Sequence, residues 1–223
     1  MRIVNLQERL LEATLNVVVY GQAGAGKTSL IKTLPGRVLV VSAEAGLLSL
    51  KGFDADVAEV ATVDDLRAVH GVLEKGGHRY DWVAVDSLSE IAELVLADLK
   101  SKTPDPRKAY GQLADQMMAV CRAFRELPIN VYMSAKAERV KDEATGRMLE
   151  ILSMPGTKLT NQIPYLFDEI FRLAVGKDRD SGELIRMLQT APEPTSDAKD
   201  RSGMLDHYEP ADLGAIVSKI KGE

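Results

Sequence analysis

The sequence predicts an α/β fold: a mainly parallel sheet between helices, with antiparallel strands added at one edge. Three observations predict it. Short apolar runs rich in valine and isoleucine recur along the chain, as in LNVVVY, RVLVVS, DWVAV and INVYMS. Stretches of helical periodicity separate them, and that alternation builds a parallel sheet covered on both faces. Late in the chain, strand-like runs follow one another across short polar connectors, as hairpins do.

Each element has its own signal. Residues 1–14 carry Ile3, Leu6, Leu10 and Leu11 near helical spacing and predict a short amphipathic helix. Residues 15–20 are a buried strand, followed by a glycine-rich loop and a helix over TSLIKTL that Pro35-Gly36 stops. Residues 37–42 form the second strand, and a weaker one lies near Val57–Val60. A helix over 63–75 presents Leu66, Val69, Val72 and Leu73 on one face. Residues 81–85 are a strand ending at Asp86, and Ser87 with Glu90 has the pattern of a capping box for the next helix. KSKTPDPRKAYG breaks that helix, and residues 112–126 resume. A strand at 129–134, a hairpin over 138–152, and a loop with a short helix at 155–167 follow. Strands at 169–175 and 184–189, a loop-rich stretch, and a final helix from Pro210 complete the chain.

Composition narrows the function. The chain has 223 residues, 45% hydrophobic and 27% charged, ample for one large core. Its single cysteine, Cys121, permits no internal disulfide, lies in an apolar setting and reads as a small core residue. His70, His78 and His207 have no metal-ligand spacing. No apolar run approaches a membrane span, and the N-terminus carries Glu8 and Glu12 where a signal peptide would be apolar. These features predict a cytoplasmic protein with no membrane partner. A net charge of −5 argues against a dedicated duplex-DNA reader.

GQAGAGKT at 21–28 matches G-x-x-x-x-G-K-[ST] without a gap. Gly21, Gly24 and Gly26 permit turns that side chains would block, so that successive amides point at phosphate oxygens. Gln22, Ala23, Ala25 and Ser29 complete the nucleotide-binding stretch. Lys27 reaches the β- and γ-phosphates, and the Thr28 hydroxyl is a magnesium ligand. A chance match in such a chain is on the order of one in a hundred, and the strand-before, helix-after context lowers it further. Asp86, at the end of a four-residue apolar run, is the metal-side carboxylate; helix capping is the competing reading. Glu44, in VVSAEAG, lies at the same carboxyl edge of the sheet and is the candidate base for the attacking water. Ser134 and Lys136 stand where a γ-phosphate sensor would.

The order GQAGAGKT, VVSAEAG, WVAVDS, VYMSAKAE, FDEIFRL and AKDRSG resembles the RecA-like P-loop ATPases carried by bacteriophages, and in particular the core-only Sak-type single-strand annealing recombinases. The resemblance runs from about Leu15 to Asp206. It implies a RecA-like core over 15–209, between an N-terminal extension (1–14) and a C-terminal helix (210–223). It implies ATP with Mg2+ as cofactors, Glu44 as catalytic glutamate, and Lys199 and Arg201 as finger residues reaching a neighbouring subunit's nucleotide. A finger requires a homo-oligomer, ring or filament. The resemblance further implies single-stranded DNA as partner, bound through Lys100, Lys102, Arg107 and Lys108, with Tyr110 for stacking, and through Arg139 and Lys141. Asp142, Glu143 and Glu150 dilute the second group. A single-strand-binding protein would be a further partner, and a phage-encoded protein would act in the bacterial host's cytoplasm. Two other functions compete: a nucleotide-gated interaction module with slow or no hydrolysis, and a small-molecule kinase, for which no arginine-rich lid is evident.

Overall fold

Ten strands form one sheet among the residues described by the computed structural model, which are residue 5 and residues 13–43, 46–143, 145–178 and 181–222. In chain order they are β1 (Asn16–Gly21), β2 (Val38–Ser42), β3 (Asp56–Glu59), β4 (Trp82–Asp86), β5 (Asn130–Lys141), β6 (Met148–Ser153), β7 (Glu169–Lys177), β8 (Leu184–Gln189), β9 (Lys199–Asp200) and β10 (Tyr208–Pro210). Across the sheet the order is β10-β8-β7-β1-β5-β4-β2-β3, with β6 on β5 and β9 on β7. The pairs from β7 through β3 are parallel. The β7/β8, β8/β10, β5/β6 and β7/β9 pairs are antiparallel.

The helices are α1 (Lys27–Leu30), α2 (Val63–Glu74), α3 (Leu88–Lys102), α4 (Pro106–Arg125), α5 (Thr157–Gln162) and α6 (Leu213–Lys221). Alternation along β1 sends Val18 and Tyr20 into a core shared with α2, α3 and α4. Val17 and Val19 enter the opposite core, with Leu30 and Ile31 after the loop and Leu213, Ile216 and Val217 of α6. Each fully buried aliphatic side chain contributes roughly 1.5–3 kcal/mol, which is why β2 and β4 stay apolar until their carboxyl ends. Cys121 sits in the first core, where burial pushes its thiol up to about 12 and keeps it protonated.

The expected elements differ from the observed ones mainly at their ends. The helix expected over 1–14 falls almost wholly outside the described residues. The helix after the phosphate loop is short: α1 tightens into a 3-10 turn at Ile31–Thr33, and Leu34 is extended. α4 begins at Pro106, not near 112, because proline suits a first helical position and the Asp105 side chain caps it. β5 runs through Lys141 because β6 continues its pairing beyond the core. Pro210 does not open the last helix. It closes β10 opposite Met187, an edge position where a missing N–H is tolerated, and Asp212 caps α6 by accepting from Ala215 N at 3.0 Å. No helix among the described residues is long and apolar enough to cross a membrane.

Glu169 opens β7, 1% exposed and in register with Asp200. Burial, reinforced by the Asp200 charge, pushes its carboxyl up to about 8. The folded chain therefore keeps a proton that the unfolded chain releases near the ordinary value of about 4.3. The contribution of this carboxyl to stability falls as pH rises from there to about 8 and changes no further beyond. Glu169→Gln should flatten this decline. Thermal melts across the window should show the variant gaining on the parent as pH rises, and a pH-independent difference would contradict the assignment.

Candidate functional site

The phosphate loop leaves β1 at Gly21. Glycine is needed there for closeness: a Cβ would stand 3.1 Å from the Leu173 carbonyl oxygen on β7. At Gly26 it is needed for conformation, since φ is 108°, and a Cβ would also meet Arg186 Nε at 3.0 Å. Lys27 folds back over the loop, donating from Nζ to the carbonyls of Gly21 (2.8 Å) and Gln22 (3.1 Å). Because α1 is so short, the loop amides rather than a long helix dipole dominate the anion site.

The Thr28 hydroxyl donates to Asp86 Oδ2 at 2.6 Å. Ser134 Oγ donates to the other oxygen, Oδ1. Sheet register brings these groups together: Val19 is opposite Ser134, and Val85 is opposite Met133, so the ends of β1, β5 and β4 converge. Tyr132 OH donates to the Lys27 carbonyl at 2.9 Å and fixes the loop from below. Burial, with the nearby Asp86 charge, raises that phenol well above its ordinary value, so it stays a donor. Ser87 caps α3 by accepting from Glu90 N at 3.3 Å, so the capping role falls to Ser87, while Asp86 receives the Thr28 and Ser134 hydroxyls.

A cleft of about 600 Å3 opens above these groups. Gln22, Ala23, Gly24, Gly26 and Ser29 line it with Lys27, Thr28 and Asp86. Ala25 does not: it is 4% exposed and packs into the second core. Lys136 also borders the cleft, its Nζ 2.8 Å from Glu90 Oε2 and 2.9 Å from Glu93 Oε1. Burial pulls its pKa down, but the two carboxylates outweigh that and the net shift is upward. A second cavity of about 610 Å3 lies under α5, between Tyr20, Tyr165 and Lys199, and shares no lining residue with the cleft.

Glu44 lies outside the described residues. The strand leading to it ends beside the site, with Ser42 opposite Asp86 and Ala43 N donating to the Asp86 carbonyl. Lys199 and Arg201 are not brought to their own chain's phosphate loop. Lys199 pairs with Ile170 near the start of β7, whereas the loop follows the far end of the neighbouring β1. Lys199 Nζ donates to the carbonyls of Pro164 and Phe167, and Arg201 Nη1 bonds Asp168 Oδ1 at 2.6 Å. The basic residues lie on regular elements: Lys100 and Lys102 end α3, Arg107 and Lys108 begin α4, and Arg139 and Lys141 lie on β5. Lys100 and Glu138 line one groove, so the two segments are neighbours. Lys102 is paired with Asp98, and Arg139 with the buried Glu150. Tyr110 has the Lys100 ammonium 5.1 Å from its ring centroid and Gly156 packed beside it, yet it stays 39% exposed.

A family model described as an AAA domain matches residues 13–202. The chain belongs to this AAA-domain family. With the geometry above, it carries a nucleotide-binding P-loop domain of the ATPase type. The AAA domain is also similar to the tRNA modification GTPase MnmE of Janthinobacterium sp. (strain Marseille), 24% identical over 204 residues, and to that of Herminiimonas arsenicoxydans, 26% identical over 187. These alignments take in 80% and 73% of this chain but 42% and 39% of the relatives, so the chain spans about two fifths of their length.

A clamp on the phosphate loop carries no signal in the sequence. Arg186 of β8 donates from Nε to the Ala25 carbonyl at 2.8 Å, clamping the loop from a strand 161 residues away. No motif marks it; only the β7/β8 register puts it there. Gly26→Ala should therefore fail twice, on φ and on the Arg186 contact. We expect a stability loss of about 1–2 kcal/mol and at least a tenfold loss of affinity in a fluorescent-nucleotide titration, with the circular dichroism spectrum retained. Parent-like binding would show that the loop does not work as described.

Proposed function

We propose that this AAA domain is a magnesium-dependent ATPase of RecA-like type that acts on single-stranded DNA in phage-type recombination, by annealing or strand pairing. The observation that carries the catalytic part is the 2.6 Å contact between Thr28 Oγ1 and Asp86 Oδ2, directly after Lys27. A hydroxyl and a carboxylate are the hard oxygen donors that magnesium takes, alongside phosphate oxygens and water. Bound there, magnesium would neutralise charge on the β- and γ-phosphoryl oxygens. Lys27 would exchange its two loop carbonyls for those oxygens, Ser134 would hold Asp86 in orientation, and Glu44 would take the proton of the attacking water.

The DNA part rests on the resemblance and on the adjacency of the α3–α4 junction to the β5–β6 hairpin. Lys100, Arg107, Lys108 and Lys141 are its main cations, since Lys102 and Arg139 are already paired. Lys199 and Arg201 would serve a neighbouring subunit in a ring or filament. Arg201 needs only to exchange one exposed ion pair, while Lys199 must leave two carbonyls. A single-strand-binding protein is the natural further partner. ATP is favoured over GTP by the AAA-domain match, although the two relatives are named as GTPases. A second reading, a nucleotide-gated interaction module, draws on the Lys136 ion pairs: they tie the cleft's rim to α3 at the root of the hairpin.

The deciding assay measures ATP and GTP turnover with and without single-stranded DNA at low salt, with particle mass under the same conditions. We expect DNA to raise ATP turnover severalfold and ATP to produce assemblies. Lys27→Ala and Asp86→Asn should abolish turnover, and Glu44→Gln should lose turnover while keeping ATP. Turnover that stays flat across the DNA titration defeats the recombination role. A Glu44→Gln variant indistinguishable from the parent favours the switch.

A further inference from the structure

The triphosphate's direction follows from the order of the strands. Asp86 on β4 and Ser134 on β5 lie on one side of β1, so the metal and the γ-phosphate belong on that side. The α-phosphate and the base must then leave towards the other side, over β7 and β8. Strands are about 4.8 Å apart, so β8 is about 10 Å from β1, the span from the loop to a nucleobase.

The β7–β8 ribbon continues past the core at this place. Leu173 and Leu188 face each other in the second core, among the residues packed beneath the phosphate loop. Two residues further out on the same face, Val175 is opposite Arg186, and beyond them Lys177 is opposite Leu184. Val175 is 46% and Leu184 63% exposed. Arg186 joins this face to the loop through the Ala25 carbonyl.

We propose that Val175 and Leu184 form the platform for the base of the bound nucleotide, with Arg186 as the positioning residue between platform and phosphate loop. The occupant is the purine of the same nucleoside triphosphate whose phosphates the loop holds, so the proposal rests on the nucleotide-binding reading. Two aliphatic side chains offer a flat apolar surface to either purine and read no hydrogen-bonding edge. Affinity from this surface is therefore gained alike by ATP and GTP.

The test compares ATP, GTP and inorganic tripolyphosphate, each with magnesium, by calorimetry on the full chain. The double variant Val175→Ser/Leu184→Ser changes two exposed positions and should fold. It should bind ATP and GTP roughly tenfold more weakly, yet hold tripolyphosphate as the parent does. Arg186→Ala should weaken all three, and Arg186→Lys should restore tripolyphosphate binding in part. If the double variant binds ATP as tightly as the parent, or loses ATP and tripolyphosphate equally, the platform is refuted. If Arg186→Ala leaves tripolyphosphate binding unchanged, its positioning role is refuted. A parent that binds none of the three ligands would instead remove the nucleotide-binding reading itself.

Discussion

The contact of Thr28 with Asp86 depends on a constraint that no local sequence supplies: three strands distant in the chain must end at the same height. β5 pairs in parallel with both β1 and β4, and this register sets the phosphate loop, the Asp86 carboxylate and Ser134 on one rim. A slip by one residue in a strand would turn its side chains to the opposite face. The buried valines of β1 and β4 prevent that slip, because each face of the sheet has its own packed core. The apolar interior thus sets the geometry of the polar rim.

Polar groups that brace the site are satisfied by one another. Tyr132 reaches from β5 to the Lys27 carbonyl, Arg186 from β8 to the Ala25 carbonyl, and Ser89 from α3 to the Ser153 carbonyl on β6. Each ties an element to the next with a buried or half-buried hydrogen bond, where an unmade bond would be costly. The phosphate loop is therefore held from below, from the side and, through the adjoining α3, from the hairpin. Such bracing preorganises an anion site, since little reordering remains when the ligand arrives.

The rim also carries an uneven distribution of charge. Lys27 donates to the carbonyls of Gly21 and Gln22, whereas Lys136 pairs with the carboxylates of Glu90 and Glu93. The first stays on the phosphate loop; the second is linked to the start of α3. On the hairpin, Glu150 draws Arg139 and Arg172 towards the fold, and burial of its carboxylate is outweighed by those two guanidinium groups. Structural pairing thus competes with any outward use of Arg139.

Much of this was legible in the chain itself. The phosphate loop was readable because its chemistry demands consecutive residues, and the strands because burial on both faces demands unbroken apolar runs. Asp86 was readable for the same reason, as the first charge after such a run. Element ends were less so, since β5 lengthens only because β6 pairs with it, and Pro210 lies in a strand only because β8 offers an edge. Arg186 was invisible, being an ordinary arginine in an ordinary strand until register sets it against Ala25. The neighbourhood of Lys100 and Glu138 was equally hidden. Contacts within one stretch of chain are written in local spacing, whereas contacts across the sheet exist only after strand order and register are chosen, and those are settled by packing of the whole core.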